Sequence, residues 1–248
     1  MHRTARELAQ RGRLGLLVCC LALGAALTAN GFPGAPGSEP SPAPSLEAVL
    51  NQMDSAAANF QSAQADFVWD QYQRVVDETD TQKGRLYFRR AGKETQMAAD
   101  ISDPEKKYML FAGGKLSVYQ PKIDQVTEYD AGKDRESVQT FLVLGFGGRG
   151  HDLPKSFTVK LGGVETVDGV RTVKLELVPK GAKARSLFER VVLWVDPARG
   201  VSLRQQAWEG SGDYRLAHYA NIRINEKIPD DVFQLKTTSK TKVLRPQG

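Results

Sequence analysis

Histidine, cysteine and long apolar runs are scarce in this sequence. Its 248 residues include three histidines and two cysteines, and no stretch approaches the several runs of about 20 apolar residues that a polytopic membrane protein needs. A hydrophobic share of 41% with 25% charged residues and a mean hydropathy of -0.39 also excludes a chain disordered throughout. Both cysteines, Cys19 and Cys20, lie in one apolar run from Leu14 to about Ala29, preceded by Arg3, Arg6, Arg11 and Arg13. A basic start, a short apolar run and a small-residue end form the pattern of a cleavable signal peptide, expected over residues 1–29. An uncleaved anchor and a lipidated cysteine are the alternatives, but the run is short for a span and Leu17-Val18 is an unsuitable approach to an acylated cysteine.

Removing that leader changes the averages. The full chain carries 34 Lys+Arg against 29 Asp+Glu and a pI near 9.1; beyond residue 29 the balance is 30 against 28, and no cysteine remains. Disulfides, thiol chemistry and cysteine metal sites drop out. So does compositional support for a nucleic-acid partner, which wants a strongly basic surface.

Residues 30–44, with five of the twelve prolines, read as a flexible linker. Ser45 then caps a helix with Leu46, Val49, Leu50, Met53, Ala57 and Phe60 at spacings of three and four. Beyond it the period falls to two. Strands are expected at 64–76, 83–90, 93–101, 108–112, 115–120, 125–129, 156–166, 170–179, 186–195, 201–208 and 214–224, with short connections that make neighbours antiparallel. A second helix is expected over 134–144, followed by a mobile glycine loop at 145–152. Asp168-Gly169 marks a tight hairpin, and the five apolar positions Val191 to Val195 require cover on both faces of their strand. About eleven strands and two helices over 45–248 make a mainly β fold with some α, a curved antiparallel sheet or open barrel.

The search for chemistry returns little. Gly145, Gly147 and Gly150 match the spacing of a dinucleotide fingerprint but do not follow a strand and open a helix, as that motif requires. His151 and His218 stand alone, one read as an exposed loop residue and the other as a strand residue. The pairs Asp100/Asp103 and Asp230/Asp231 adjoin prolines and suit turns or caps. No catalytic residue, metal or cofactor is assigned. The basic tail Lys236 to Arg245 reads as a solvated end, with contact to anionic lipid headgroups as the alternative. The default site is then an apolar concavity, suited to an acyl chain.

The order of segments carries a resemblance. After the opening helix come Gly84-x-Leu86-x-Phe88-x-Arg90, Ser102-Asp103-Pro104, Gly113 to Val126 (GGKLSVYQPKIDQV), the LGFGG loop at 144–148, LVPKG, VVLWVD and DDVFQL. The chain resembles the periplasmic lipoprotein carrier family LolA over 45–244. It departs from the family pattern at Ser117, where a tryptophan is usual, and at Thr238-Ser239-Lys240 in place of a Pro-x-Gly turn. The resemblance implies an unclosed antiparallel β-barrel of about eleven strands with helices covering its concave apolar face. It implies a monomeric, non-enzymatic carrier in the periplasm, whose partners are acylated lipoproteins or lipid, an inner-membrane ABC-type release complex and an outer-membrane acceptor, with no nucleic acid. It also implies that Arg90 is a lid latch, facing inward with Leu86 and Phe88. The expected lipid-binding residues are Phe67, Trp69, Leu86, Phe88, Phe111, Tyr119, Val192 and Trp194, with Phe141, Leu142 and Leu144 from the lid. A lipid-sensing regulatory module or a carrier of another envelope lipid on the same fold is the nearest alternative, and an exported hydrolase the more distant one.

Overall fold

The Ser45 side chain accepts a hydrogen bond from the Ala48 amide at 3.2 Å, satisfying one of the free N–H groups that open a helix. The helix it starts, α1, runs Leu46–Asn59 and buries Val49, Leu50, Met53 and Ala57 along one stripe, as the spacing predicts. These details come from a computed structural model, which describes residues 44–92, 94–130, 132 and 144–246. The expected leader, nearly all of the linker, and the helix expected over 134–144 apart from Leu144 lie outside the described residues.

Twelve strands form one sheet: β1 Ser62–Gln73, β2 Glu78–Ala91, β3 Glu94–Asp103, β4 Lys107–Ala112, β5 Lys115–Gln120, β6 Gln125–Asp130, β7 Phe157–Val167, β8 Val170–Pro179, β9 Arg190–Asp196, β10 Val201–Trp208, β11 Tyr214–Ile224 and β12 Lys242–Leu244. Their order is β12-β6-β5-β4-β3-β2-β1-β11-β10-β9-β8-β7. The ends β12 and β7 are not neighbours, so the sheet is an open barrel. Each run of consecutive strands is a meander, and the pairing of β1 with β11 joins the two runs, from Ala63 opposite Ile224 to Tyr72 opposite Tyr214.

Three details differ from expectation. The count is twelve, because the basic tail is not a solvated end: β12 adds to β6 in parallel, held by the Thr241 and Thr238 hydroxyls on the Asp124 carboxylate and by Arg245 on Glu128. Residues 186–189 are not strand. A short helix, α3 (Ala182–Leu187), precedes β9, where Ala182, Ala184 and Leu187 favour a helical turn over the β pattern that follows. An even shorter α2 (Leu153–Ser156) leads into β7.

The core divides by face. On the inner face, α1 packs Val49, Leu50 and Met53 against Val173, Leu175, Leu177, Val191, Leu193 and Val195 of β8 and β9. Beside this, still on the inner face, Phe67, Leu86, Phe88, Met97, Ile101 and Phe111 of β1 to β4 gather around Phe146 and Tyr219. On the opposite face Val192 and Trp194 pack with Val167 and Leu203. The cover expected on both faces of Val191 to Val195 is present, since all five are buried.

Candidate functional site

Between the half of the inner face filled by α1 and the half lined by β1 to β4 lies a cavity of about 620 Å³, within the roughly 300–1,000 Å³ usual for small-ligand sites. Period-two alternation builds its walls. Leu86 and Phe88 come from β2 and Met97 from β3, where it faces Phe88 in register. Met109 and Leu116 come from β4 and β5, Val191 and Ala207 from β9 and β10, and Ala217 and Tyr219 from β11. Phe146 forms part of the floor, stacked on Phe88 with centroids 4.5 Å apart and edge-on to Tyr219 at 4.9 Å. Thioether side chains such as Met97 and Met109 adapt to irregular apolar occupants.

Charge is confined to the mouth. Asp70, Asp80, Glu209 and Arg215 stand there with Ser186, Leu187 and Phe188, and each acid is engaged. Asp70 accepts from the Thr81 hydroxyl at 2.7 Å, Asp80 from the Gln73 amide at 3.2 Å, and Glu209 pairs with Arg215 at 3.1 Å. Inside, Tyr219 donates to the Gln205 side-chain oxygen at 2.9 Å, while the Gln205 amide donates to the Leu144 carbonyl. Burial pushes the Tyr219 phenol up, so it stays a neutral donor.

That chain of bonds ends on the glycine segment, which is not the mobile loop expected from its composition. Ser202 N–H donates to the Gly145 carbonyl at 2.6 Å and Gly147 N–H to the Gly200 carbonyl at 3.0 Å, and Phe146 bridges to Val201. The glycines serve positive φ, +81° at Gly145 and +68° at Gly147, and close approach: a Cβ on Gly147 would lie 2.3 Å from the Phe60 ring. Composition alone cannot distinguish this use of glycine from flexibility.

Of the expected lining residues, Trp69, Leu86, Phe88 and Leu144 line the cavity. Phe67 and Phe111 sit on the same face but are packed behind it, Phe67 against Trp69 with centroids 4.3 Å apart. Three others are corrected. Val192 and Trp194 point to the opposite face, because their neighbours Val191 and Leu193 take the inner one. Tyr119 also lies on the opposite face: it pairs with Tyr108, one position from the inward Met109, and its hydroxyl donates to Asp124 at 3.2 Å. Phe141 and Leu142 lie outside the described residues. Sequence reading missed Met97, Met109, Leu116, Phe146 and Tyr219; Met97 was recoverable from the short β2–β3 turn, which sets it opposite Phe88.

Arg90 ends β2 beyond Leu86 and Phe88, and its Nη2 donates to the Ala57 carbonyl in the last turn of α1 at 3.2 Å. Along the side of that helix His151 is not a free loop residue. Its Nδ1 lies 2.7 Å from Asp54 Oδ2 and its Nε2 3.2 Å from Glu47 Oε1. The hydrogen bond to Asp54 foremost, with Glu47 adding to it, raises the imidazole above its ordinary value. Burial pushes the Asp54 carboxyl up but is outweighed by the His151 bonds and charge, with Arg149 helping, so it falls below the usual range. His218 is bound to Asp168 at 2.5 Å on the surface. Among the described residues no group of three potential metal ligands converges.

The chain matches the family model of the outer membrane lipoprotein carrier protein LolA over residues 58–236. Among solved structures it is similar to an uncharacterized conserved protein from Thermus thermophilus, with 11% identity and a TM-score of 0.52 over 81% of this chain and 98% of that one. It is also similar to MucB, at 14% identity and a TM-score of 0.51, covering 80% of this chain and 65% of MucB. A LolA superfamily protein from Nitrosomonas europaea aligns at 14% identity and a TM-score of 0.39 over 77% of this chain and 98% of that one. At such identities the likeness concerns the fold alone. No curated protein matches the sequence.

Proposed function

Since the chain belongs to the family of outer membrane lipoprotein carriers typified by LolA, we propose that it shields the acyl chains of a lipoprotein in this cavity and carries them across the periplasm. In this reading an inner-membrane ABC-type release complex supplies the cargo and an outer-membrane acceptor takes it. The observation that carries the proposal is the cavity itself, a wall of aliphatic, aromatic and thioether side chains with its charges held at the mouth. An acyl chain moved from water into such a space gains about 0.8 kcal/mol for each methylene buried. Among the described residues inside the cavity, Gln205 and the Tyr219 hydroxyl already bond each other, so an acyl chain breaks no bond of its own to them on release.

Arg90 is the latch in this scheme. Its bond to Ala57 holds the end of α1 beside the junction of the two inner clusters, and losing it frees that end to move as cargo enters. The expected leader would deliver the chain to the periplasm, where it acts as a monomer. The scheme contains no catalytic step.

Native mass spectrometry of the protein purified from its own envelope tests this reading directly. Acylated lipoprotein bound to the chain is the expected result. A free lipid in its place would make it the carrier of another envelope lipid, and reproducible absence of both would overturn the proposal.

A further inference from the structure

Sulfur takes up oxidants more readily than the other elements of side chains, and in this chain it is confined to a few places. There are four methionines and two cysteines. Met1, Cys19 and Cys20 fall within the expected leader, so beyond residue 29 sulfur occurs only at Met53, Met97 and Met109. No thiol stands there to take an oxidant first.

Two of these three thioethers belong to the cavity wall. Met109 faces inward from the middle of β4, opposite Ala99 of β3 on one side and Val118 of β5 on the other. Ala99 presents only a methyl group to it. Met109 is half-buried, whereas Met97 and Met53 are 4% and 3% exposed. Met97 takes the diagonal position on β3, opposite Phe111. Met53 lies apart, in the stripe of α1 packed against β8 and β9. The cavity, at about 620 Å³, is many times the roughly 30 Å³ share of one water molecule. Hydrogen peroxide is little larger than water, so the open mouth admits it to the Met109 side chain.

We propose that Met109 is a site of sulfoxide formation by small hydroperoxides, and that its oxidation closes the cavity to acyl cargo. The sulfur lone pair attacks one peroxide oxygen, forming the S–O bond as the O–O bond breaks. Sulfur is oxidised by two electrons and the peroxide reduced; the transferred oxygen gives its proton to the departing hydroxide, which leaves as water. The product is polar where the thioether was apolar. An acyl chain lying against it strips water from the sulfoxide oxygen and offers no hydrogen bond in return. A chain already bound covers the sulfur, so oxidation falls on the empty protein. Enzymatic reduction of the sulfoxide restores the thioether. The loss of cargo rests on the carrier reading, whereas the oxidation itself does not.

The test treats the protein, purified from its own envelope and freed of bound lipid, with hydrogen peroxide. Sulfoxide at each methionine is followed by peptide mass spectrometry. Met109 should oxidise at least about tenfold faster than Met53, and a tripalmitoylated peptide bound in the cavity should slow Met109 at least about fivefold. The oxidised protein should bind that peptide at least about tenfold more weakly, with unchanged circular dichroism. In Met109→Leu the affinities before and after peroxide should agree within about twofold, whatever the starting value. Met53 oxidising as fast as Met109, a Met109 rate unmoved by bound peptide, an oxidised protein that binds as tightly as before or unfolds, or a Met109→Leu protein that loses affinity on treatment would each overturn the proposal. Untreated protein that binds no tripalmitoylated peptide would overturn the carrier reading and the effect on cargo that rests on it, leaving the rate order to decide the oxidation site.

Discussion

Arg90 at the end of β2 donates a hydrogen bond to the carbonyl of Ala57, 33 positions earlier, in the last turn of α1. Strand and helix are thereby tied where the two inner clusters meet. Replacing Arg90 with leucine should raise amide exchange at the C-terminal end of α1 and lower stability by roughly 1 kcal/mol, the usual net contribution of one such bond. In the carrier scheme Arg90→Leu keeps its cargo but transfers it poorly. Unchanged exchange together with unchanged transfer would refute the latch, and Arg90→Lys, which can still donate, should fall between the two.

Filling the cavity tests the site without opening it. Ala217→Phe adds a ring where β11 lines the space. It should cost no more than about 1–3 kcal/mol of stability and abolish retention of acyl cargo measured by native mass spectrometry. The opposite change, Phe88→Ala, removes a fully buried ring and should destabilise by about 3–5 kcal/mol in a denaturant titration.

The glycine segment should behave as a rigid part. Gly147→Ala adds a methyl group against Phe60 at a backbone angle of +68°, so a loss of about 2–4 kcal/mol is expected from the left-handed conformation and the overlap together. Pairing it with Phe60→Leu should restore part of that loss, since the two residues share one contact. Simple additivity in chemical denaturation would contradict the packing described here.

The contacts of His151 make the anchoring of α1 depend on pH. The imidazole is raised in the folded protein, so its contribution is complete below its ordinary value near 6.5 and is lost as pH climbs through the raised folded value. Asp54 is lowered, so its contribution is complete above its ordinary value near 3.8 and is lost as pH falls through the lowered folded value. Amide exchange along α1 from Glu47 to about Asp54 should therefore be slower at about pH 6 than at about pH 8.5, after correction for intrinsic rates. His151→Ala should abolish the difference; a pH difference that persists in that variant would assign it to another group.

Much of this fold can be read from residue spacing. The three-and-four spacing of Leu46 to Phe60 yields α1 and its buried stripe, and the alternation of Leu86 and Phe88 identifies the inner face of β2. Alternation fails where every position is apolar. Val191 to Val195 gives no period, so only packing decides that Val191 and Leu193 face α1 while Val192 and Trp194 face away. Tyr119 was misplaced for a related reason: an aromatic residue on a short strand fits either face, and the C-terminal segment anchored at Asp124 supplies cover on the side opposite the cavity. His151 was misread because its partners Asp54 and Glu47 lie 97 and 104 positions away, beyond the reach of any local pattern.

The pairing of β1 with β11 has a consequence for how the chain comes together. Every other antiparallel neighbour in the sheet is also next in sequence, so each meander needs only short loops to close. Ala63 must instead find Ile224, 161 positions away, and the cavity has no complete wall until it does. Contacts of such separation slow folding, because loop closure must precede any gain from pairing. The two half-sheets are thus the parts that need only local pairing, whereas the apolar pocket needs a pairing across most of the described chain.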